Sequence, residues 1–338
     1  MSKLFIIGNG FDLAHKLDTR YKDFKKFMYE NAYGKPFDED RQEEIEPQMP
    51  ALPEGKIFTK KGTIYNFAGA MRLLYWMINK VACENNDIEW NEFEALLQKL
   101  DYAGVLLECE KTEDRAASRL RDVFETLEHV FFEWISEVDI SKDILKKPYL
   151  ERVMNQKEVL VLSFNYTETV EKVYGVCAKN VCHIHGKREE NYEKRLTRGL
   201  SSFGEDNSRL IVGYAPADFK PEEKFNANIK NSDLYGRLVF LYSLLQKDVG
   251  IVMSENESFY DGLRTSNIHK VYSYGYSYPE EDKVQIQEVC KALKEGNQKP
   301  ESIVWYLHQY DEENKNFKFE KKLREWGFQG DFGRYSDY

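Results

Sequence analysis

The sequence has no apolar run long enough to cross a membrane, since a spanning helix needs roughly 18 such residues. Its first residues also lack the basic segment and the long apolar core of a secretory signal peptide. The five cysteines are an odd, scattered set without a C-x-x-C pair, which favours reduced thiols over disulfides or structural zinc. These absences predict a cytoplasmic protein that makes no membrane contact.

An excess of positive charge is also absent. The chain has 48 basic and 58 acidic residues, which gives a formal net charge of −10. This balance disfavours a general nucleic-acid surface, which needs clustered lysine and arginine. A nucleic-acid hydrolase is disfavoured too, because no cluster of Asp, Glu and His has the spacing of a metal site. With 42% hydrophobic residues over 338 positions, the chain can bury a large core.

Short apolar runs alternate with helical patterns along much of the chain. The runs predict strands at residues 4–7, 158–164, 180–185, 209–214, 268–274 and 302–307. Helical patterns at 232–246 and 280–294 fill gaps between them. This alternation predicts an α/β fold with a mainly parallel sheet and helices on both faces.

The same patterns divide the chain into four parts. Residues 1–35 and 155–310 are predicted to form the nucleotide-binding core, in which apolar residues at helical spacing within 21–28 form a helix packed on the sheet. Residues 36–62 form an acidic loop with several prolines. A helical insertion is predicted over 63–154, and residues 311–338 are interpreted as a C-terminal tail.

The first strand runs into a glycine turn, Gly8-Asn9-Gly10, followed by Phe11 and Asp12. Glycines permit positive φ and leave no Cβ in the way, so N–H groups of such a turn can approach a phosphate as the next helix starts. The third glycine of the dinucleotide fingerprint is missing, because Leu13 stands at that spacing. The turn is therefore either a phosphate contact or ordinary turn chemistry.

Polar residues also follow the strand that ends at Phe164. Asn165 and Thr167 would face the crevice where ligands bind at the carboxyl ends of parallel strands. An asparagine both donates and accepts, which suits ribose hydroxyls or a water. Capping of the next helix is an equally good explanation of these residues.

Two further segments follow predicted strands. His183 and His185 share one face of a short strand, and metal binding by the pair is the weaker interpretation because no third ligand lies at a suitable spacing. His185 beside a glycine is better placed as a general base, since imidazole titrates near neutral pH. The later turn Gly275-Tyr276-Ser277 brings backbone and a hydroxyl towards the same edge, or is a simple strand-turn-helix junction.

Five segments together resemble the bacterial abortive-infection AbiH family, in order and in spacing, from the N-terminus to about residue 295. They are Gly8-Asn9-Gly10-Phe11-Asp12-Leu13-Ala14-His15, Trp90-Asn91-Glu92-Phe93-Glu94, Phe164-Asn165-Tyr166-Thr167, His183-Ile184-His185-Gly186 and Gly275-Tyr276-Ser277. That family is associated with defence against bacteriophage, in which an infected cell stops growing or dies before phage is released. The resemblance implies this biological role and little chemistry.

A more distant resemblance to the sirtuin-like NAD-binding domains of other phage-defence proteins supplies a chemical hypothesis. It implies a Rossmann-like, sirtuin-like sheet with NAD as substrate or ligand. The cofactor-binding residues would be Gly8, Asn9, Gly10, Phe11, Thr167, Gly275, Tyr276 and Ser277, and the catalytic residues would be His185, Asn165 and Asp12. Thr167 stands where those domains carry an aspartate, and Asn9 replaces their alanine.

The resemblance leaves two functions open. One is an NAD glycohydrolase that, when triggered by a phage-derived signal, hydrolyses NAD to nicotinamide and ADP-ribose. The other is a non-catalytic sensor of NAD, ADP-ribose or another nucleotide, which acts through a partner or through homo-oligomers formed by the helical insertion. No metal is expected, because the four-cysteine zinc module of sirtuin deacylases is missing from the sequence.

Overall fold

The computed structural model describes residues 2–38, 48–53, 67–84, 93–110, 116–140, 144–155, 159–188, 232–297 and 299–337. Within these residues, six strands form one sheet. They are β1 (Ser2–Ile7), β2 (Val159–Ser163), β3 (Val181–His183), β4 (Ile268–Tyr274), β5 (Val304–His308) and β6 (Asp331–Tyr335). Five of them correspond to predicted strands, and the predicted strand at 209–214 lies outside the described residues.

Every neighbouring pair of strands is parallel, in the order β3-β2-β1-β4-β5-β6. The order therefore reverses at β1, with earlier strands on one side and later strands on the other. Connections that leave such a reversal point in opposite directions open a crevice at the carboxyl ends of the central strands. The predicted mixed α/β fold with a parallel sheet is confirmed.

The connection from β1 to β2, as far as the structure describes it, contains seven helices: α1 (Asn9–Ala14), α2 (Tyr21–Tyr33), α3 (Phe67–Glu84), α4 (Phe93–Gln98), α5 (Tyr102–Glu110), α6 (Ala116–Glu137) and α7 (Pro148–Met154). The helix α8 (Thr169–Tyr174) precedes β3, and three described helices precede β4: α9 (Ser232–Leu244), α10 (Val249–Glu255) and α11 (Glu257–Thr265). Of the described helices, one precedes each of the last two strands, α12 (Lys283–Glu295) before β5 and α13 (Gln309–Glu325) before β6. A short 3-10 helix, Glu280–Asp282, precedes α12. The segment interpreted as a C-terminal tail thus contains α13 and the edge strand β6.

Both faces of the sheet are covered, as the continuous apolar character of β1 requires. Successive side chains of a strand point to opposite faces. Leu4 and Ile6 join a cluster that includes buried residues of α11 and α12, whereas Phe5 and Ile7 join a larger cluster formed with α2 to α6. The sheet therefore separates two apolar cores, and polar groups of the central strands are left mainly at the strand ends.

The larger core is a layer of helices between β1 and β2. Phe24 of α2 has its ring centroid 5.3 Å from that of Phe93, 5.2 Å from that of Phe131 and 5.1 Å from that of Trp134. The aromatic residues of α2 are core, as predicted, but α2 packs mainly against α3 and α6 rather than against the strands. None of the helices among the described residues is long and apolar enough to cross a membrane.

Arg188, just beyond β3, attaches this helical layer to the edge of the sheet. The buried guanidinium pairs with Glu168 at 2.9 Å and donates to the carbonyl oxygens of Ile135, at 2.7 Å, and Val138. These carbonyls lie at the C-terminal end of α6, where backbone acceptors have no helical partner and the helix dipole favours a cation. Arg188 therefore fixes the end of α6 near the ends of β2 and β3.

Two glycine turns touch where β1 and β4 end. Gly8 N donates to Tyr274 O at 3.1 Å, and Gly10 N donates to Gly275 O at 2.9 Å. A Cβ on Gly10 would lie 2.6 Å from Gly275 Cα, and a Cβ on Gly275 would lie 2.3 Å from Gly10 C. Side chains cannot fit at this contact, so glycine is required on both sides of it.

We expect Gly275→Ala to destabilise the protein through both backbone strain and this contact. Gly175→Ala is the matched control, because φ is +60° at Gly275 and +68° at Gly175, but a Cβ on Gly175 meets nothing within 4 Å. The control should lose about 1 kcal/mol of unfolding free energy, and Gly275→Ala about 1–3 kcal/mol more, as overpacking does. Urea unfolding measures both values, and equal losses would contradict the close approach of the turns.

Candidate functional site

The predicted site residues lie along the carboxyl ends of four consecutive strands. Asp12 lies beyond β1 in α1, Asn165 and Thr167 follow β2, His185 follows β3 and Tyr276 follows β4. All five of these side chains belong to buried residues. The sheet order thus brings together segments that are far apart in the chain.

Asp12 is held by a residue from the neighbouring strand end. Thr167 Oγ1 donates to Asp12 Oδ2 at 2.5 Å and lies 3.0 Å from Thr169 Oγ1. The other carboxylate oxygen, Oδ1, is buried without a hydrogen-bond partner among the described residues. Asp12 thus joins the ends of β1 and β2, and α1 has no side-chain cap.

The protonation of Asp12 is balanced near neutrality. Burial raises the pKa of its carboxyl group to about 6, although the hydrogen bonds of Thr167, Thr169 and Asn165 and the nearby His183 lower it. A carboxyl group with such a pKa exchanges a proton close to physiological pH, which is the property required of a catalytic acid or base.

Asn165 presents the complementary group. Its backbone carbonyl oxygen accepts a hydrogen bond from His183 Nδ1 at 3.0 Å, but its side-chain Nδ2 is buried without a hydrogen-bond partner among the described residues. The next helix, α8, has Glu168 as its N-cap and no side-chain capping bond, so the capping alternative for Asn165 and Thr167 is wrong. The side chain of Asn165 also interacts with that of Asp12, so the two buried polar groups are neighbours, and a water or a polar ligand would compete with this interaction.

His185 is held in a different way from His183. Its Nε2 lies 3.1 Å from Asp282 Oδ1, and its ring contacts those of Phe164 and Tyr166, which flank Asn165. His183 instead uses both ring nitrogens within the protein, since Nε2 lies 2.9 Å from Glu171 Oε1. The strand β3 ends at His183, so the prediction that the two histidines share one face of a strand is wrong. They also have different carboxylate partners.

Asp282 is the carboxylate at the centre of this part of the site. Its Oδ1 lies 3.1 Å from His185 Nε2, its Oδ2 accepts a hydrogen bond from Tyr276 OH at 3.1 Å, and the Tyr276 ring stacks on Phe164 at 4.2 Å. Burial alone would raise the pKa of Asp282, but His185, Lys247 and Tyr276 lower it below its usual value. Asp282 is therefore an anion that is fixed in place.

A buried ion pair lies near Asp282. Lys247 Nζ is 2.5 Å from Glu94 Oε1, and the Lys247 side chain is 2% exposed. Burial lowers the pKa of Lys247, but Glu94 and Asp282 outweigh this effect and raise it; burial raises the pKa of Glu94, against the influence of Lys247. Glu94 of the helical layer and Lys247, which follows α9, thus form a charge pair close to Asp282.

Sequence reasoning missed Glu94, Lys247 and Asp282 as site residues. Glu94 is the last residue of one of the segments that carry the family resemblance, and this position was the one sign in the sequence that it could belong to the site. Asp282 ends the acidic run Pro279-Glu280-Glu281-Asp282, in which the neighbouring carboxylates are at least partly exposed, and Lys247 follows a helix without any motif. Only the folded chain brings these residues together.

The glycine turn uses its N–H groups within the protein. Those of Gly8 and Gly10 bond to the β4 turn, and Phe11 N donates to Gly8 O at 2.8 Å. The side chain of Asn9 is bonded to Thr19 through both its oxygen, at 2.6 Å, and its nitrogen, at 2.8 Å. A phosphate bound here would compete with these internal hydrogen bonds.

Other polar features lie apart from these residues. Ser277 is exposed on the β4 turn. A cleft of about 860 Å³, lined in part by His15, Lys147 and Asp337, includes none of the predicted site residues. In the described part of the chain, no three or more His, Cys, Asp or Glu side chains are grouped as metal ligands.

The raised pKa of Asp12 predicts a pH-dependent stability. The neutral form is favoured on folding, so its contribution is complete below the ordinary pKa of 3.8 and is lost as the pH rises through about 6. The shift corresponds to about 3 kcal/mol. Urea unfolding should show that, between pH 4 and pH 7, the unfolding free energy of Asp12→Asn rises relative to that of the wild type by up to about that much. A difference between the two proteins that does not change with pH would contradict the burial of a titrating carboxyl group.

The Glu94–Lys247 pair makes a second prediction. Lys247→Met leaves Glu94 buried without its cation and should cost about 3–5 kcal/mol of unfolding free energy. The double variant Glu94→Leu/Lys247→Met should recover most of this loss, because it leaves no unpaired charge. As a control, Lys321→Met breaks a pair whose side chains are 79% and 61% exposed, and should cost less than about 1 kcal/mol. A single-variant loss as small as the control's would show that the pair is not buried.

Comparison with known proteins gives one match. The family described as "Bacteriophage abortive infection AbiH" matches residues 4–305, which include every residue of the site described above. No curated protein and no solved structure matches the chain. Because the match extends over most of the sequence, the chain belongs to the AbiH family of bacteriophage abortive infection proteins.

Proposed function

Family membership indicates a function in abortive infection, and we propose that its chemistry is the hydrolysis of NAD to nicotinamide and ADP-ribose. The observation that carries this proposal is the buried pair of Asp12 and Asn165 at the neighbouring ends of β1 and β2, where neither Asp12 Oδ1 nor Asn165 Nδ2 makes a hydrogen bond of ordinary geometry. An acceptor and a donor at this edge are suited to the hydroxyl groups of a ribose.

The proposal includes a Rossmann-like identity for the sheet, because its strand order is that of doubly wound dinucleotide-binding sheets. In those sheets the ligand lies across the ends of the central strands, which here carry Asp12 and Tyr276 on either side of the reversal. Tyr276 presents its ring and hydroxyl to Phe164 and Asp282, so its part in holding NAD would be indirect.

Cleavage of the bond between nicotinamide and ribose develops positive charge on the ribose. Asp12, as a carboxylate, would stabilise that charge, and Asn165 would hold a ribose hydroxyl or the attacking water. His185 would accept a proton from this water as its oxygen bonds to the ribose carbon, while the electron pair of the broken bond leaves with nicotinamide. The products are nicotinamide, ADP-ribose and a released proton.

Burial of the site supports activity that depends on a trigger. Asp12 is 1% exposed and His185 5% exposed, so a substrate reaches them only after neighbouring side chains move. A phage-derived signal that moves the helical layer, to which Arg188 attaches the end of β3, would admit NAD. Hydrolysis without a trigger would be slow.

Sensing without turnover is the second candidate, and two observations favour it. The hydroxyl of Thr167 already occupies one oxygen of Asp12, and the N–H groups of Gly8 and Gly10 are bonded within the protein. A sensor needs a pocket of suitable shape and polarity, but it needs neither a free carboxylate nor a base.

The proposal predicts that phage challenge of cells expressing the wild type lowers NAD and releases nicotinamide and ADP-ribose, as measured by mass spectrometry. His185→Ala removes the base and should slow the loss of NAD by about 100-fold or more. The control is His269→Ala, at the amino end of β4 and away from the site, which should behave as the wild type.

Depletion of NAD that persists in His185→Ala would contradict the assigned base. Unchanged NAD together with intact protection from phage would contradict hydrolysis altogether. Saturable binding of NAD or ADP-ribose to the purified protein would then identify a sensor, and Gly10→Leu, which overfills the contact with Gly275, should abolish that binding.

A further inference from the structure

The pair formed by His185 and Asp282 places a carboxylate against one nitrogen of an imidazole, and neither atom of the contact makes a hydrogen bond to any other described residue. Nε2 lies 3.1 Å from Asp282 Oδ1, and both residues are buried. A carboxylate at one ring nitrogen keeps the proton on that nitrogen and leaves the lone pair on the other. Here the nitrogen that remains is Nδ1, which makes no hydrogen bond to the described residues.

The neighbouring pair of His183 and Glu171 shows what a purely structural histidine does in the same strand end. Its two ring nitrogens are both occupied, by Glu171 Oε1 and by the carbonyl oxygen of Asn165. No nitrogen is left for a substrate. Each of the two histidines thus lies against a carboxylate, but only His185 retains a ring nitrogen that is free to accept a proton.

The surroundings of Asp282 keep it ionised and correctly directed. Tyr276 OH occupies Oδ2 at 3.1 Å, which leaves Oδ1 for His185. Lys247 attracts Asp282 electrostatically from the helical layer, while Glu94 balances Lys247. Among the described residues, Asp282 and Glu94 are the charged groups that act on His185, and its ring contacts those of Phe164 and Tyr166.

We propose that Asp282 is the positioning residue of His185, holding the proton on Nε2 so that Nδ1 faces the reacting water. This inference rests on the proposed hydrolysis of NAD. As the water oxygen bonds to the ribose carbon, its proton passes to Nδ1, and the resulting imidazolium is stabilised by the carboxylate of Asp282 until the proton is released to solvent.

The test begins with the tautomer of His185, which needs no substrate. Nitrogen-15 NMR of histidine-labelled protein separates protonated from unprotonated ring nitrogens, and His185→Ala identifies the signals among six histidines. In the wild type we expect the Nε2–H form. Asp282→Asn should give a mixture of both forms, because an amide both donates and accepts. Glu171→Gln is the matched control, which should change the signals of His183 and leave those of His185.

Kinetics under triggered conditions give the second readout. Asp282→Asn should lower kcat by about 10- to 100-fold, with KM within about twofold of the wild type, because positioning a base acts on the chemical step. Asp261→Asn, an exposed carboxylate paired with Arg264 on α11, should leave both constants unchanged. If Asp282→Asn does not fold, Tyr276→Phe removes one hydrogen bond from Asp282 and should shift the tautomer and kcat in the same directions by smaller amounts.

The outcomes separate the two proposals. An Nδ1–H form in the wild type, or an unchanged tautomer in Asp282→Asn, overturns the positioning role whatever happens to NAD. The expected tautomers in a protein that consumes no NAD under any condition overturn hydrolysis, while they support the assignment of Asp282 as the residue that orients His185.

Discussion

The contact between the Gly10 backbone and the Gly275 backbone is the constraint on which the carboxyl edge of the sheet depends. It joins the turns after β1 and β4 at a distance that no side chain allows. Because α1 starts from the first turn and Asp282 follows the second, this contact sets how far Asp12 lies from the carboxylate of the other half. The glycines at these positions therefore have a packing function, whether or not a phosphate binds beside them.

Ionised side chains at this edge come from both layers of the fold. The apolar strands exclude charge from the middle of the sheet, so the polar groups collect where the strands end. Glu94 belongs to the helical layer, whereas Asp282 and His185 follow strands. Since buried charges are costly without partners, the ionised Asp282 depends on His185 and Lys247, and Lys247 is in turn paired with Glu94 of the helical layer.

The sequence predicted the central strands and the meeting of their polar ends at one edge of the sheet, because buried parallel strands are continuous apolar runs and their ends carry the polar residues. It did not indicate β6, since an edge strand such as Asp331–Tyr335 is only partly buried and alternates less clearly. Nor did it indicate the pairing of Glu94 with Lys247. An ion pair between residues so far apart in the chain leaves no local pattern, whereas the acidic run before Asp282 has the composition of a solvated loop.

The central position of β1 has a consequence for the synthesis of the protein. Its residues, Ser2–Ile7, leave the ribosome before their partners in the sheet, which begin only at Val159 and Ile268. At ordinary rates of translation, the wait for β4 is on the order of tens of seconds. Until then the apolar segment has no neighbour on that side, and neither Gly275 nor Asp282 exists to complete the edge. A nascent chain therefore cannot assemble the candidate site until its synthesis has passed Asp282.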